Sequence, residues 1–512
     1  MELRSEGDHP EKKSRDNEVE TNPRFERHET LHILMVPLPL ESHVMCMFGL
    51  AQALVAVDDH VVITFAYPAR PYILQANRSW TDAGCDLAGR LRIEIVEDGL
   101  PRDGEAVTSF QQFAPMQRVY ENQTKVLLEK LQREFSSHGS VDAKSLPLSC
   151  IMSDTMAPWM QDVADAAAIP YVGFWTSTAA AYSMSTQLPV LLANGTLPLR
   201  RDCWANPEKK WTASAPLVEG VPGLPPFPVT DLLGLMTLPE EITDPSLQFL
   251  LASVRRAKEQ HCILIYSMYD LESQVFDALR DVGFTAYGVG PFLGGDLRSR
   301  SPSPELSREL NKCMRWLDAK PPCSVIYIAL GTMVKLDPAE LQSMARGLED
   351  CKRPFLWVIP QSSIKDLPEG FQQRTIEQDC GHIVPWAPQR DVLRHRSVAV
   401  FISHCGWNSI LESMWEGVPI VACPFFAEQR SNARWIVQRW RIGLEMERGD
   451  DGSFTREAVR EVLQTLLSHE LGSQIRERAS RMKDVIQSGV KHGGSSHQSL
   501  INFLGRLRLA AE

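Results

Sequence analysis

Short runs of apolar, β-branched residues recur along this chain, and helix-patterned stretches separate them. His32–Val36 (HILMV) is the first, a buried strand running into a Pro-containing loop. Val44–Val57 has apolar residues at helical spacing, and His60–Tyr67 (HVVITFAY) is the next strand. Such a strand–helix–strand opening is the usual start of a Rossmann-like domain. Further strands follow at Leu91–Gly99 (LRIEIVEDG), Ser149–Asp154 (SCIMSD), Tyr171–Trp175 (YVGFW) and within Leu264–Ser273 (LIYSMYDLES). A long amphipathic helix is predicted over Val107–Phe135, and Arg200–Leu233, rich in Pro, Gly and Trp, reads as a surface excursion near a cleft.

Composition shifts at Gly290–Ser307 (GPFLGGDLRSRSPSPELS), a Gly, Ser, Pro and Arg mixture typical of an interdomain linker. Beyond it, Ser324–Thr332 (SVIYIALGT), PFLWVIP and GHIVPW begin a second alternating set, and closing helices run from about Thr455. The predicted organisation is a tail at 1–30, a Rossmann-like domain at 31–287, a linker at 288–312 and a second Rossmann-like domain at 313–485. A last helix at 486–512 is expected to pack back on the first domain. The fold class is α/β, with a cleft between two domains.

The densest pattern lies between Trp386 and Gln429: WAPQRDVLRHRSVAVFISHCGWNSILESMWEGVPIVACPFFAEQ. Val398–Ser403 is a buried strand, SILESMWEG a short helix stopped by Gly417, and Pro419–Cys423 a second buried strand. The Gly-containing turn HCGWNS brings free backbone N–H groups and the positive end of the helix dipole to one point. That is an anion site, most naturally for a phosphate.

Size and charge narrow the possibilities. The 512 residues suggest about three domains, though two large α/β domains fit equally well. A net charge of −11 argues against a broad nucleic-acid surface or an anionic-membrane patch. Eleven cysteines, scattered and never spaced CxxC, favour reduced thiols in the cytoplasm over a disulfide framework or zinc site. The first thirty residues are polar and lack an apolar core, so they read as a disordered tail rather than a signal peptide. No run reaches the length a membrane span needs. A dinucleotide-binding oxidoreductase is disfavoured: GVGPFLGG (Gly288–Gly295) lacks the third Gly at the required spacing and leads into the linker.

The stretch Trp386–Gln429 resembles the signature box of plant-type family 1 UDP-glycosyltransferases. WAPQ, HCGWNS, LES, GVP and the closing EQ all fall at the family spacing, and ALGT, FLW, LPEGF, VPGLPP and FWTS look like the family elsewhere. The resemblance runs from about residue 31 to the closing helices. It implies a GT-B fold, with the acceptor bound by the first domain and a UDP-sugar mainly by the second. By that resemblance Trp386 stacks on the uracil, and Ala387 and Gln389 read the base edge and nearby ribose. Glu412, one helical turn after Asn408, takes the ribose hydroxyls. His404, Gly406, Trp407, Asn408 and Ser409 hold the pyrophosphate, helped by Thr332, with Ser42 and Thr176 also on the donor side. Glu428 and Gln429 hold sugar hydroxyls; Gln at the last position goes with glucose, and Glu428 stands where the family usually has Asp. No acidic DxD pair appears near these residues, so no metal or other cofactor is expected.

The same resemblance makes His43 the catalytic base and Asp154 its partner acid, taking the acceptor's proton while its oxygen attacks the anomeric carbon with inversion. Around His43 the chain departs from the family: Glu41 and Ser42 replace Gln and Gly, and Cys46 replaces Pro. Imidazole and phenol differ by about 5 kcal/mol for full proton transfer; for an alkyl alcohol the gap is about 12 kcal/mol. A phenolic acceptor such as a flavonoid is therefore the expected partner, with UDP-glucose, for a monomeric cytoplasmic enzyme. The rival reading is a catalytically weak nucleotide-sugar-binding protein on the same fold.

Overall fold

The computed structural model describes residues 30–69, 89–99, 113–137, 147–198, 204–206, 210–211, 217–234, 241–293, 304–331, 333–449, 452–468 and 470–511. Almost all of the tail expected at 1–30 lies outside them, as does Thr332.

The first half opens β1 (Leu31–Val36), α1 (Glu41–Val57), β2 (Val61–Pro68), β3 (Leu91–Val96) and α2 (Phe113–Ser137). It continues with β4 (Cys150–Asp154), α3 (Trp159–Ala166), β5 (Tyr171–Trp175), α4 (Ala179–Thr186) and α5 (Leu188–Ala193). Four short strands follow: β6 (Trp204–Asn206), β7 (Lys210–Trp211), β8 (Leu217–Val218) and β9 (Phe227–Pro228). The half closes with α6 (Pro245–Arg255), β10 (Cys262–Ile265), α7 (Tyr269–Asp281) and β11 (Ala286–Gly288). Seven of these strands form one parallel sheet in the order β11-β10-β5-β4-β1-β2-β3.

The second half contains α8 (Pro304–Asp318), β12 (Val325–Ala329), α9 (Pro338–Cys351), β13 (Phe355–Val358), α10 (Phe371–Glu377) and β14 (Gly381–Val384). Next come α11 (Gln389–Arg394), β15 (Val398–Ser403), α12 (Trp407–Glu416), β16 (Ile420–Ala422), α13 (Gln429–Arg434) and β17 (Gly443–Glu445). Three helices end the chain: α14 (Arg456–Ser468), α15 (Glu470–Gly489) and α16 (Ser495–Ala511). The second sheet is also parallel, in the order β14-β13-β12-β15-β16-β17.

Helices cover both faces of each sheet, so the central strands are buried throughout and read in sequence as unbroken apolar runs. Strand order reverses once in each sheet, beside β1 in the first and β12 in the second. In sheets of this kind ligands bind outside the carboxyl ends of the strands at the reversal.

Some expectations shift. α2 starts at Phe113, the part of its expected range before that lying outside the described residues. α8 begins at Pro304, so the later part of the linker expected at 288–312 is helix. Residues 217–234 are not a surface excursion: Val218, Val221, Phe227, Val229, Leu232 and Leu233 are buried in the main core. The Pro and Gly content there prevents long regular strands without preventing burial.

One apolar cluster runs from the first sheet into the second half, joining Met268 and Leu271 to Trp407, Leu411 and Trp440. α16 also returns to the first half: Leu500, Phe503, Leu504 and Leu507 enter its core, and Arg508 donates to Asp58 at 2.7 Å. Burying each of those four apolar side chains stabilises the junction by about 1.5–3 kcal/mol.

Candidate active site

Two groups of residues face each other where the strand orders reverse. On the first sheet, β1 delivers His43 and the adjacent β4 ends in Asp154. His43 was expected in a loop, yet it stands in the first turn of α1. Leu38 precedes Pro39 and is kept from helical geometry, and Leu40, still extended, becomes the N-cap. Glu41 and Ser42 are exposed on that first turn, where the Glu41 carboxylate sits well with the helix dipole.

His43 Nδ1 lies 2.6 Å from Asp154 Oδ2 and 3.2 Å from Thr176 Oγ1. Asp154 is fully buried, and its other oxygen accepts the Met156 N–H at 2.9 Å. Nδ1 is thereby committed, leaving Nε2 as the nitrogen able to accept a proton. Burial pulls the His43 pKa down, but the Asp154 charge and hydrogen bond, with help from Glu428, outweigh it and leave it raised.

On the second sheet, β15 ends in Ser403 and the chain turns through His404, Cys405 and Gly406 into α12. The left-handed residue of this turn is Cys405, at φ 67°, not the glycine. Gly406 is needed for a different reason: a Cβ there would collide with His404 Nε2. A Cβ on Gly331, at the end of the neighbouring strand, would lie 3.0 Å from the same nitrogen. The ring is thus slotted between two backbones. Burial pushes the His404 pKa down to about 4, so the ring is neutral, and its Nδ1 is buried without a partner.

The rest of the expected donor residues fall on or beside α12. Trp386 is 42% exposed, an open indole face, while Ala387 is buried. Gln389 donates from Nε2 to Ser409 Oγ at 3.0 Å and to Glu412 Oε2 at 2.8 Å, bringing three of the expected residues into one cluster. The Glu412 carboxyl is held above its usual range by burial, against the Gln389 hydrogen bond and the nearby Arg390. The Trp407 side chain does not face a phosphate. Its indole N–H donates to the Tyr266 carbonyl of the first half at 2.5 Å, and its backbone N–H at the helix start faces the Glu428 carboxylate. Asn408 Oδ1 accepts from Cys46, across the cleft.

Glu428 sits between the two groups. Burial raises its pKa, opposed by its own N–H, by His43, by the Ser177 hydroxyl and by the Trp407 N–H. Ser177 approaches this carboxylate without closing a well-formed hydrogen bond. Gln429 is buried, and its Oε1 accepts from the Phe425 and Phe426 N–H groups at 2.9 and 3.1 Å, holding the turn that precedes it. Only its amide nitrogen remains for a ligand. The first half supports this turn directly: Gly234 N–H donates to Ala427 O at 2.9 Å, and Arg434 pairs with Asp231 at 2.9 Å.

Sequence reasoning did not single out Tyr266, Ser177, Asp231 or Arg434, and noted Cys46 only as a departure from a motif. Each acts across a long stretch of chain, which periodicity cannot report. Among the described residues, every cysteine is a free thiol.

Similarity to known proteins agrees with this geometry. The sequence model for "UDP-glucoronosyl and UDP-glucosyl transferase" matches residues 296–474. The (R)-mandelonitrile beta-glucosyltransferase of Prunus dulcis is 28% identical over 507 residues, 94% of this chain and 98% of its own. The 7-deoxyloganetin glucosyltransferase of Gardenia jasminoides is 28% identical, covering 92% of this chain and 96% of its own. Among solved structures, Medicago truncatula UGT71G1 complexed with UDP-glucose superposes with a TM-score of 0.76 at 24% identity, over 93% of this chain and 98% of that one. Two Rossmann-like domains meeting at their strand-order reversals form a GT-B fold, and the similarities above are to UDP-glycosyltransferases. Within that class, the chain is similar over nearly its whole length to plant-type family 1 UDP-glycosyltransferases.

Proposed function

We propose that this enzyme transfers glucose from UDP-glucose to a hydroxyl of a small hydrophobic acceptor, a plant phenolic such as a flavonoid, giving a β-O-glucoside. The observation that carries the chemistry is the 2.6 Å His43–Asp154 pair, set opposite Glu428 and the first turn of α12. His43 Nε2 takes the acceptor's proton as its oxygen bonds to the anomeric carbon, and the bond from that carbon to UDP breaks with inversion. Asp154 holds the imidazole and stabilises its protonated form. The diphosphate's charge is met by the α12 backbone N–H groups, neutral His404 and Asn408, with Thr332 also assigned to it. Trp386 stacks on the uracil, with Ala387 and Gln389 at the base and Glu412 on the ribose; Glu428 and the Gln429 amide hold the sugar. Ser42 and Thr176 line the same side. The relatives' names support glucose as the transferred group and differ in acceptor.

The test is product mass spectrometry with UDP-glucose and a phenolic panel, comparing wild type with His43→Ala. Reaction only with aliphatic alcohols or carboxylates would remove the phenolic assignment. UDP binding with no transfer to any acceptor would favour a nucleotide-sugar-binding protein instead.

Two further outcomes are expected. Glu412→Ala removes bonds from a carboxylate worth about 1.5–3 kcal/mol, so donor KM rises by roughly 10- to 100-fold. Acceptor KM measured at saturating donor stays near wild type. No metal is assigned a role, because N–H donors meet the leaving charge. Full activity in EDTA is therefore expected, and a loss restored by magnesium would overturn that assignment. The enzyme is proposed to work as a cytoplasmic monomer; among the described residues no helix is long and apolar enough to cross a membrane.

A further inference from the structure

The Cys46 thiol lies at the meeting of the two active-site groups, and nothing in the mechanism above uses it. Cys46 is three residues beyond His43 on α1, hence on nearly the same face and one turn deeper. It is buried, and its Sγ lies 3.2 Å from Asn408 Oδ1 on α12. The Tyr266 phenol lies against the same thiol, while the Tyr266 carbonyl receives the Trp407 indole N–H. The first two residues of α12 are therefore keyed to the first half by two adjacent hydrogen bonds, one from each direction across the cleft.

The Asn408 carboxamide turns its oxygen toward the thiol, the end that an S–H donor pairs with. Burial pushes the Cys46 thiol up to about 12, which keeps that proton in place at any working pH. With Oδ1 engaged, the Asn408 NH2 group is turned away from Cys46 and is the part left for a ligand. An asparagine with no such partner could present either end, and its oxygen would face a diphosphate unfavourably. Proline at position 46 could not make this contact, having no polar side chain.

We infer that Cys46 is a positioning residue: its S–H fixes the Asn408 carboxamide with NH2 toward the donor diphosphate and sets the spacing between the His43 helix and the donor helix. This rests on Asn408 facing the donor, as proposed above.

The test titrates UDP alone into wild type, Cys46→Ala, Cys46→Val, Cys46→Ser, Asn408→Ala and the Cys46→Ala/Asn408→Ala double variant, and measures KM for both substrates. Loss of one neutral hydrogen bond predicts about a five- to tenfold weaker UDP affinity and higher donor KM in Cys46→Ala, with acceptor KM unchanged. Cys46→Val, which fills the space without a donor, should match it. Cys46→Ser, which restores an O–H donor, should recover to within about twofold of wild type. The double variant should bind UDP no worse than Asn408→Ala, because both changes break one interaction. Wild-type UDP affinity in Cys46→Ala, failure of Cys46→Ser to recover, or multiplying losses in the double variant would each overturn the inference. Because UDP carries no sugar, an error in the assigned sugar or acceptor would show in the turnover assays and leave this comparison intact.

Discussion

His43→Ala lowers kcat by about 10²–10⁴-fold, with UDP affinity close to that of wild type. The size follows from the role proposed for the residue. The acceptor oxygen must lose its proton as it attacks, and His43 Nε2 is the nitrogen placed for that, because Nδ1 is bonded to Asp154 at 2.6 Å. The side chain belongs to α1, while the uracil, ribose and diphosphate contacts are assigned mainly to the segment from Trp386, the His404–Gly406 turn and α12. Donor binding should therefore survive the substitution. Single-turnover transfer and UDP calorimetry on the same preparations check both halves of this expectation. A parallel loss of UDP affinity would mean that His43 serves the donor rather than the acceptor.

Asp154→Asn should be the next most damaging change, costing on the order of 10²–10³-fold in kcat/KM. It should also move the pH profile. His43 acts as a base only when neutral, so kcat/KM climbs with pH through the His43 pKa of the free enzyme. Burial depresses that pKa, but the Asp154 charge and hydrogen bond, with Glu428, raise it above the ordinary 6.5. Removing the carboxylate leaves burial as the dominant influence, so the rising limb shifts to lower pH even as the maximum falls. A limb that stayed in place would show that another group is being titrated. Glu428→Gln should shift the limb in the same direction and by less, since its charge is the smallest of the contributions to His43.

Much of this architecture is legible in the sequence because parallel sheets are buried on both faces. β1, β2, β12 and β15 are continuous apolar runs, and their succession with helices leaves few alternatives to two doubly wound domains. The donor side is legible for another reason: β15, the His404–Gly406 turn and α12 are contiguous in the chain, so spacing alone brings their residues together. What failed to show was whatever depends on the cleft. The first turn of α1 carries Glu41, Ser42 and His43, polar because it faces an opening rather than a core, and so it reads as loop. Trp407 looks like a ligand contact until the fold supplies Tyr266 as its partner. Gln429 looks free until the turn at Phe425–Phe426 is seen to hang from it. The need for glycine at 406 was visible, but its cause was not: clearance for the His404 ring, with Cys405 taking the left-handed turn.

The return of α16 to the first half has a consequence for how the protein is made. Leu500, Phe503, Leu504 and Leu507 complete a core whose other members begin at Leu31. During synthesis the first sheet is therefore ready to form long before its last covering helix leaves the ribosome, and an apolar flank stays bare while the whole second domain is translated. Completion of the first core waits on α16, so the two halves reach their packed form together.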